Sequence, residues 1–179
     1  MPVMNSQIQK VCIVGNTASG KSFFSRLVGE ALKLPVYHLD QVYWRGDWTH
    51  ISRTDFLVRQ EELITCPLWV IDGCFSEFGL SKRFQSADAI IFIDQPVLTC
   101  AKRAISRRGD TRKDLPTGAD DKKMSLRTSL AFLAEILLFG LIDRPRIMRA
   151  AHNTDTLFII IKQWAEEEDA LKQLVLGHS

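Results

Sequence analysis

No two of the four cysteines, Cys12, Cys66, Cys74 and Cys100, stand at CxxC spacing, which argues against a zinc ribbon and against a small disulfide framework. Free thiols in a reducing cytosol are the expectation. The opening MPVMNSQIQK has no basic start followed by an apolar stretch and a small-residue cleavage site, so no signal peptide is expected. The longest greasy stretch, Leu130 to Ile142, is interrupted by Glu135 and falls short of the ~20 residues a membrane span needs. A buried helix is expected there, and a cytoplasmic protein with no membrane partner. Repeats, low-complexity linkers, a helix-turn-helix and a zinc finger are also missing, so the usual nucleic-acid readers have no signature here.

What is there is ordinary in bulk and uneven in detail. The 179 residues suit one well-buried domain, and 46% hydrophobic with 25% charged is the common globular mix. The net charge of +2 is segregated. Twelve Lys or Arg stand against six acids between Lys102 and Arg149, so that segment carries +6 and the remainder −4. Such a concentration suits a polyanion, ATP as well as DNA.

Strand-like runs occur at 10–14, 35–39, 68–71, 89–93 and 156–161, and three of them stop at Asp40, Asp72 and Asp94. Between them, helical spacing appears after residue 20, over 52–63 behind a Ser52 cap, and from Pro96, and again over 124–141, 145–152 and 163–174, with a division near Pro145. Residues 109–123 read as a surface loop. Alternating strands and helices predict an α/β domain: a five-stranded parallel sheet covered on both faces, with ligands at the carboxyl ends of its strands.

The first of those ends reads GNTASGKS, Gly15-Asn16-Thr17-Ala18-Ser19-Gly20-Lys21-Ser22, and fits G-x-x-x-x-G-K-[ST] between a strand and a helix. Glycine lets the backbone N–H groups turn inward as an anion nest at a helix N-terminus. Lys21 would reach the β- and γ-phosphates and the Ser22 hydroxyl would ligate Mg²⁺. A P-loop also needs a carboxylate on the metal side, and Asp72 is the expected one. Asp94, before Gln95-Pro96, reads as a cap or turn residue.

"WVIDGCFSEFGLSKRFQSADAIIFIDQP" resembles the "DGFPR" strand and following "LD-P" strand of adenylate kinases. "YHLDQVYWRGDW", "VIDGCFS" and a late "DRPR" look, more narrowly, like the bacterial adenylate kinase-like P-loop proteins called DNA topology modulation proteins. The resemblance implies a P-loop fold with strand order 2-3-1-4-5, an ATP site at Gly15 to Ser22, and Asp72 as the metal-side aspartate. It matches Arg103 and Arg107 to the arginines that flank an adenylate kinase lid, with 109–123 as a short lid. Arg127, Arg144 and Arg146 are further candidates for closing over the phosphates. Two AMP contacts of that family are missing. Asp40 is followed by Gln41, Val42, Tyr43 and Trp44 where an arginine is due, and Asp72-Gly-Cys-Phe-Ser76 holds no arginine.

Asp40 instead stands among Tyr37, His38, Tyr43, Trp44 and Trp48. A carboxylate there can take a proton from an acceptor hydroxyl, with the aromatics stacking on a base or sugar; equally, the aromatics can be core and Asp40 a turn residue. His38 reads as structural. The expected function is an ATP- and Mg²⁺-dependent kinase of a small nucleotide-like or hydroxylated acceptor, with Lys21, Arg103, Arg107 and Asp40 catalytic. The alternatives are an ATP-binding regulator on DNA and a non-catalytic module docking through Leu130 to Ile142.

Overall fold

The computed structural model describes residues 8–45, 47–107 and 126–176. Five parallel strands, β1 (Lys10–Gly15), β2 (Val36–His38), β3 (Trp69–Asp72), β4 (Ala89–Ile93) and β5 (Leu157–Ile161), form one sheet in the order β2-β3-β1-β4-β5. Each lies where a β-branched or aromatic run ends at glycine, aspartate or a turn. Side chains alternate across the sheet. Cys12 and Val14 of β1 therefore face one layer, with Ile71, Ile90 and Phe92, and Val11 and Ile13 face the other, with Val70, Ile91 and Ile93.

The first layer is closed by α3 (Arg53–Thr65), α4 (Leu80–Ser86) and α7 (Asp143–His152), which bury Phe56, Ile64, Phe84 and Ile147. The second is closed by α1 (Lys21–Leu32) and α8 (Glu167–Leu176), through Phe24, Val28, Ala170 and Leu174. A single turn, α2 (Leu39–Tyr43), follows β2, while α5 (Val97–Ser106) packs on α6 (Leu126–Leu138) through Cys100, Ala101 and Ile136.

Ser52 caps α3 as expected: its Oγ accepts from Asp55 N at 3.0 Å and donates to Asp55 Oδ2 at 2.7 Å. Two expectations change. The stretch Leu130 to Ile142 is not a buried helix throughout: α6 ends at Leu138, and Leu130, Leu137, Leu138, Leu141 and Ile142 are exposed, while the division near Pro145 is as expected, with Pro145 in the first turn of α7, where a missing N–H costs little. Second, Asp94 caps nothing. Pro96 is the N-cap of α5, without a side-chain bond, and the Asp94 carboxylate instead takes the guanidinium of Arg144, with Nε at 3.2 and 3.1 Å and Nη2 at 3.0 Å. The loop 109–123 lies outside the described residues. No helix among the described residues is long and apolar enough to cross a membrane.

Candidate active site

Parallel pairing brings the strand ends to one edge, and the registers fix who meets whom. Ile13 stands opposite Asp72, Asp72 opposite His38, and Gly15 opposite Ile93. Gly15 has φ +152°, and a Cβ there would lie 2.5 Å from the Ile93 carbonyl oxygen, so the loop leaves β1 along a path closed to other residues. Gly20, at φ 104°, starts α1 and accepts from the N–H groups of Phe23 and Phe24. Its first turn has no acidic residue and begins with Lys21, so the helix presents its positive end to the loop without a counter-charge.

Within the loop, Lys21 Nζ donates to Asn16 O at 2.8 Å, and Ser19 N to the same oxygen at 3.2 Å. The Ser19 hydroxyl is fully buried and has no hydrogen-bond partner among the described residues. A buried orphan hydroxyl costs free energy unless something fills the cradle. A phosphate oxygen fits that need. Asn16 anchors the roof: buried, it donates from Nδ2 to Ile136 O of α6 at 3.0 Å.

The metal-side expectation gains detail here. Asp72 is 3% exposed, and its Oδ2 lies 2.7 Å from His38 Nδ1 and 3.3 Å from Ser25 Oγ. The same Ser25 hydroxyl lies 3.2 Å from Ser22 O, so one short network joins the loop, the aspartate and β2. Sequence reasoning did not find Ser25, and it treated His38 only as structural. Among the described residues no group of three or more His, Cys, Asp or Glu could hold a metal unaided. A hard cation there would have to be shared between Ser22, the Asp72 side and phosphate oxygens.

Asp40 is half-buried in the first turn of α2, two residues after His38. The N-cap residue of that turn, His38, makes no side-chain cap bond. The aromatics divide into two groups. Tyr43 is packing, its ring 5.0 Å from Phe56, 5.1 Å from Phe75 and 5.0 Å from His50. Trp44 and Trp48 form a half-buried trio with Phe132 of α6, centroids 5.6 to 5.9 Å apart. One turn on from Phe132, Glu135 is raised in pKa by lost solvent and by the charges of Asp143, Asp40 and Glu77. These four carboxylates come from separate elements, and Ser76 donates to Asp143 at 2.5 Å.

Arg103 lies in the last turn of α5 and Arg107 is its C-cap. Both guanidinium groups, like Lys21, lower the pKa of the Cys100 thiol, though burial still leaves it raised. Arg144 and Arg146 are in ion pairs, with Asp94 and with Glu77 at 2.8 Å. The side chain of Arg127 lies outside the described residues. A further feature had no sequence signal. Arg83 of α4 is fully buried, and it bonds Gln60 Oε1, Phe78 O at 2.9 Å and Cys74 O at 2.5 Å, clamping the loop that follows Asp72.

No family model and no curated protein sequence matches the chain. Solved structures do. A shikimate kinase from Acinetobacter baumannii in complex with shikimate is 18% identical, with a TM-score of 0.61 over 96% of this chain and 94% of that one. A shikimate kinase from Bacteroides thetaiotaomicron is 12% identical, TM-score 0.57, over 93% and 96%. A gluconokinase from Sinorhizobium meliloti is 16% identical, TM-score 0.50, over 94% and 90%. Identities this low establish architecture, and with the strand order and the loop they establish one: the chain has the fold of the P-loop kinases.

Proposed function

We propose that the protein is an ATP- and Mg²⁺-dependent kinase that transfers the γ-phosphoryl group of ATP to a small nucleotide-like or hydroxylated acceptor. The observation that carries this reading is the single edge where the phosphate cradle, with its orphan Ser19 hydroxyl, meets Asp72 and Asp40. Phosphoryl transfer asks a protein mainly for position and spread positive charge.

The chain's own groups divide the work. Backbone N–H groups of residues 15–22 hold the phosphates, and Lys21 leaves Asn16 O to follow the transferring group. Arg103 and Arg107 offset charge on the phosphates. Ser22 and the Asp72 side would hold Mg²⁺, which would supply positive charge against the phosphates. Asp40 takes the proton of the acceptor hydroxyl as its oxygen bonds to phosphorus and ADP leaves. Trp44, Trp48 and Phe132 offer the acceptor an aromatic wall. The missing arginines after Asp40 and in Asp72 to Ser76 make AMP a poor acceptor. The quoted motifs place the protein, in this reading, beside the adenylate kinase-like topology modulation group.

The test is ADP formation from Mg-ATP against nucleoside monophosphates, nucleosides and small hydroxylated metabolites. Acceptor-dependent turnover should vanish in Lys21→Ala and fall about 100-fold or more in Asp40→Asn, the size of a general-base contribution. Undiminished turnover in Lys21→Ala would reject the assignment. The +6 charge of 102–149 favours a second reading, an ATP-binding regulator on DNA. That reading requires DNA affinity that falls steeply with salt; no retention on DNA at low ionic strength would reject it.

A further inference from the structure

Away from the strand ends, α3, α4 and α7 enclose a groove of about 530 Å³. It shares no lining residue with the phosphate loop, and neither Asp40 nor Asp72 reaches it. Its floor includes Arg83, a fully buried guanidinium that bonds Gln60 Oε1, the carbonyl oxygens of Phe78 and Cys74, and the Cys12 thiol, with no carboxylate among them. Buried charges are normally matched by an opposite charge. None among the described residues bonds this one, and its Nε is walled in without a partner. Gln60, 3% exposed, is in the same condition: its Oε1 serves Arg83 and its Nε2 N–H groups have no acceptor among the described residues.

The rim repeats the imbalance. Lys82 pairs with Glu61 at 2.8 Å and Arg146 with Glu77 at 2.8 Å, both exposed pairs of the kind worth little to stability. Arg149 is exposed and makes no ion pair among the described residues. Four cations therefore line the groove against two carboxylates, in a concave wall that concentrates the field. Ser76, Ser81 and Asn153 add hydrogen-bonding groups at the edge.

We propose that this groove is a second ligand site, for a small molecule bearing a phosphate or carboxylate group, held by Arg149 and Lys82 over the buried Arg83–Gln60 pair. The anion supplies the counter-charge that Arg83 lacks. Its bearing on the rest of the protein runs through the clamp: Arg83 holds Cys74 O, two residues beyond Asp72, and Arg146 touches the Ser76 hydroxyl at 3.4 Å. This assignment stands apart from the kinase reading and survives its failure.

The experiment is amide-shift mapping of the isotope-labelled full chain, titrated with inorganic phosphate and, separately, citrate. Two saturable sets of shifts are expected with phosphate, one at 15–22 and one at 79–83 and 146–153. Lys21→Ala should weaken the first set alone. Arg149→Ala, an exposed change that leaves the core intact, should raise the Kd of the second set by about tenfold or more, as the loss of one charge-assisted contact does, and adding Lys82→Ala should raise it again. A second set stronger with citrate identifies a carboxylate ligand and one stronger with phosphate a phosphorylated one. Shifts confined to 15–22 with both probes, or a second set unmoved by the double variant, would overturn the proposal.

Discussion

His38→Ala removes one of the two donors that the structure gives Asp72, and the effect can be worked out from the geometry. The Nδ1···Oδ2 distance of 2.7 Å is that of a hydrogen bond to a charged acceptor, and Asp72 is only 3% exposed, so water cannot fully replace the donor. Hydrogen bonds to charged groups contribute about 1.5–3 kcal/mol, and losing an outer-sphere partner of a metal-side carboxylate costs about 10–100-fold in metal affinity. The Mg²⁺ concentration for half-maximal ADP formation should therefore rise about 10-fold or more in His38→Ala. His38→Asn, whose amide can place an N–H near the Nδ1 position, should recover part of it. The assay is a Mg²⁺ titration at fixed ATP, with Tm measured in parallel. A lowered Tm with an unchanged Mg²⁺ midpoint in both variants would refute the reasoning and leave His38 a packing residue.

Gly15→Ala should abolish nucleotide binding in a direct titration, because its Cβ would meet the Ile93 carbonyl oxygen at 2.5 Å and its φ of +152° disfavours any side chain; wild-type affinity would contradict this. Phe24→Ala, at a fully buried position between α1 and the sheet, should cost about 3–5 kcal/mol in denaturant unfolding. Among the thiols, Cys66 should alkylate first because it is partly exposed at the end of α3. Cys74, pushed up to about 12 by burial and by the Asp143 charge, should resist at about pH 8, where roughly one thiol in ten thousand is ionised. Its pKa is raised, so its reactivity should grow only as pH climbs toward that value, and mass spectrometry of partly labelled protein reads the order.

The parts of this molecule legible in the sequence are those whose cause is local. Val-Cys-Ile-Val before Gly15, or Ala-Ile-Ile-Phe-Ile before Asp94, can hardly be anything but buried strands, and Ser52 with Asp55 three residues on is a capping signal in itself. GNTASGKS carries its own geometry, since the glycine conformations and the helix start lie within eight residues. What escaped depends on partners distant in sequence. Helix α4, LSKRFQS, has too few apolar residues to show a period; Leu80 and Phe84 bury it in tertiary contacts, and Arg83, which carries no signal of its own, is sealed by Gln60 from another helix. The His38–Asp72 contact needs the β2–β3 register, which no residue type announces. Asp94 looks like a turn residue, and its partner Arg144 is fifty positions away. By contrast the division near Pro145 was legible from the proline itself, which sits in the first turn of α7; the packing of Phe139 beside Phe92 at 6.3 Å was not.

The most direct test of the central claim is to find the product itself. Phosphorus NMR of Mg-ATP with the acceptor that most accelerates ADP formation should show a new phosphate-ester signal growing in step with ADP, absent in Lys21→Ala and slowed about 100-fold or more in Asp40→Asn. ADP accumulating with inorganic phosphate alone, whatever acceptor is supplied, would contradict the account.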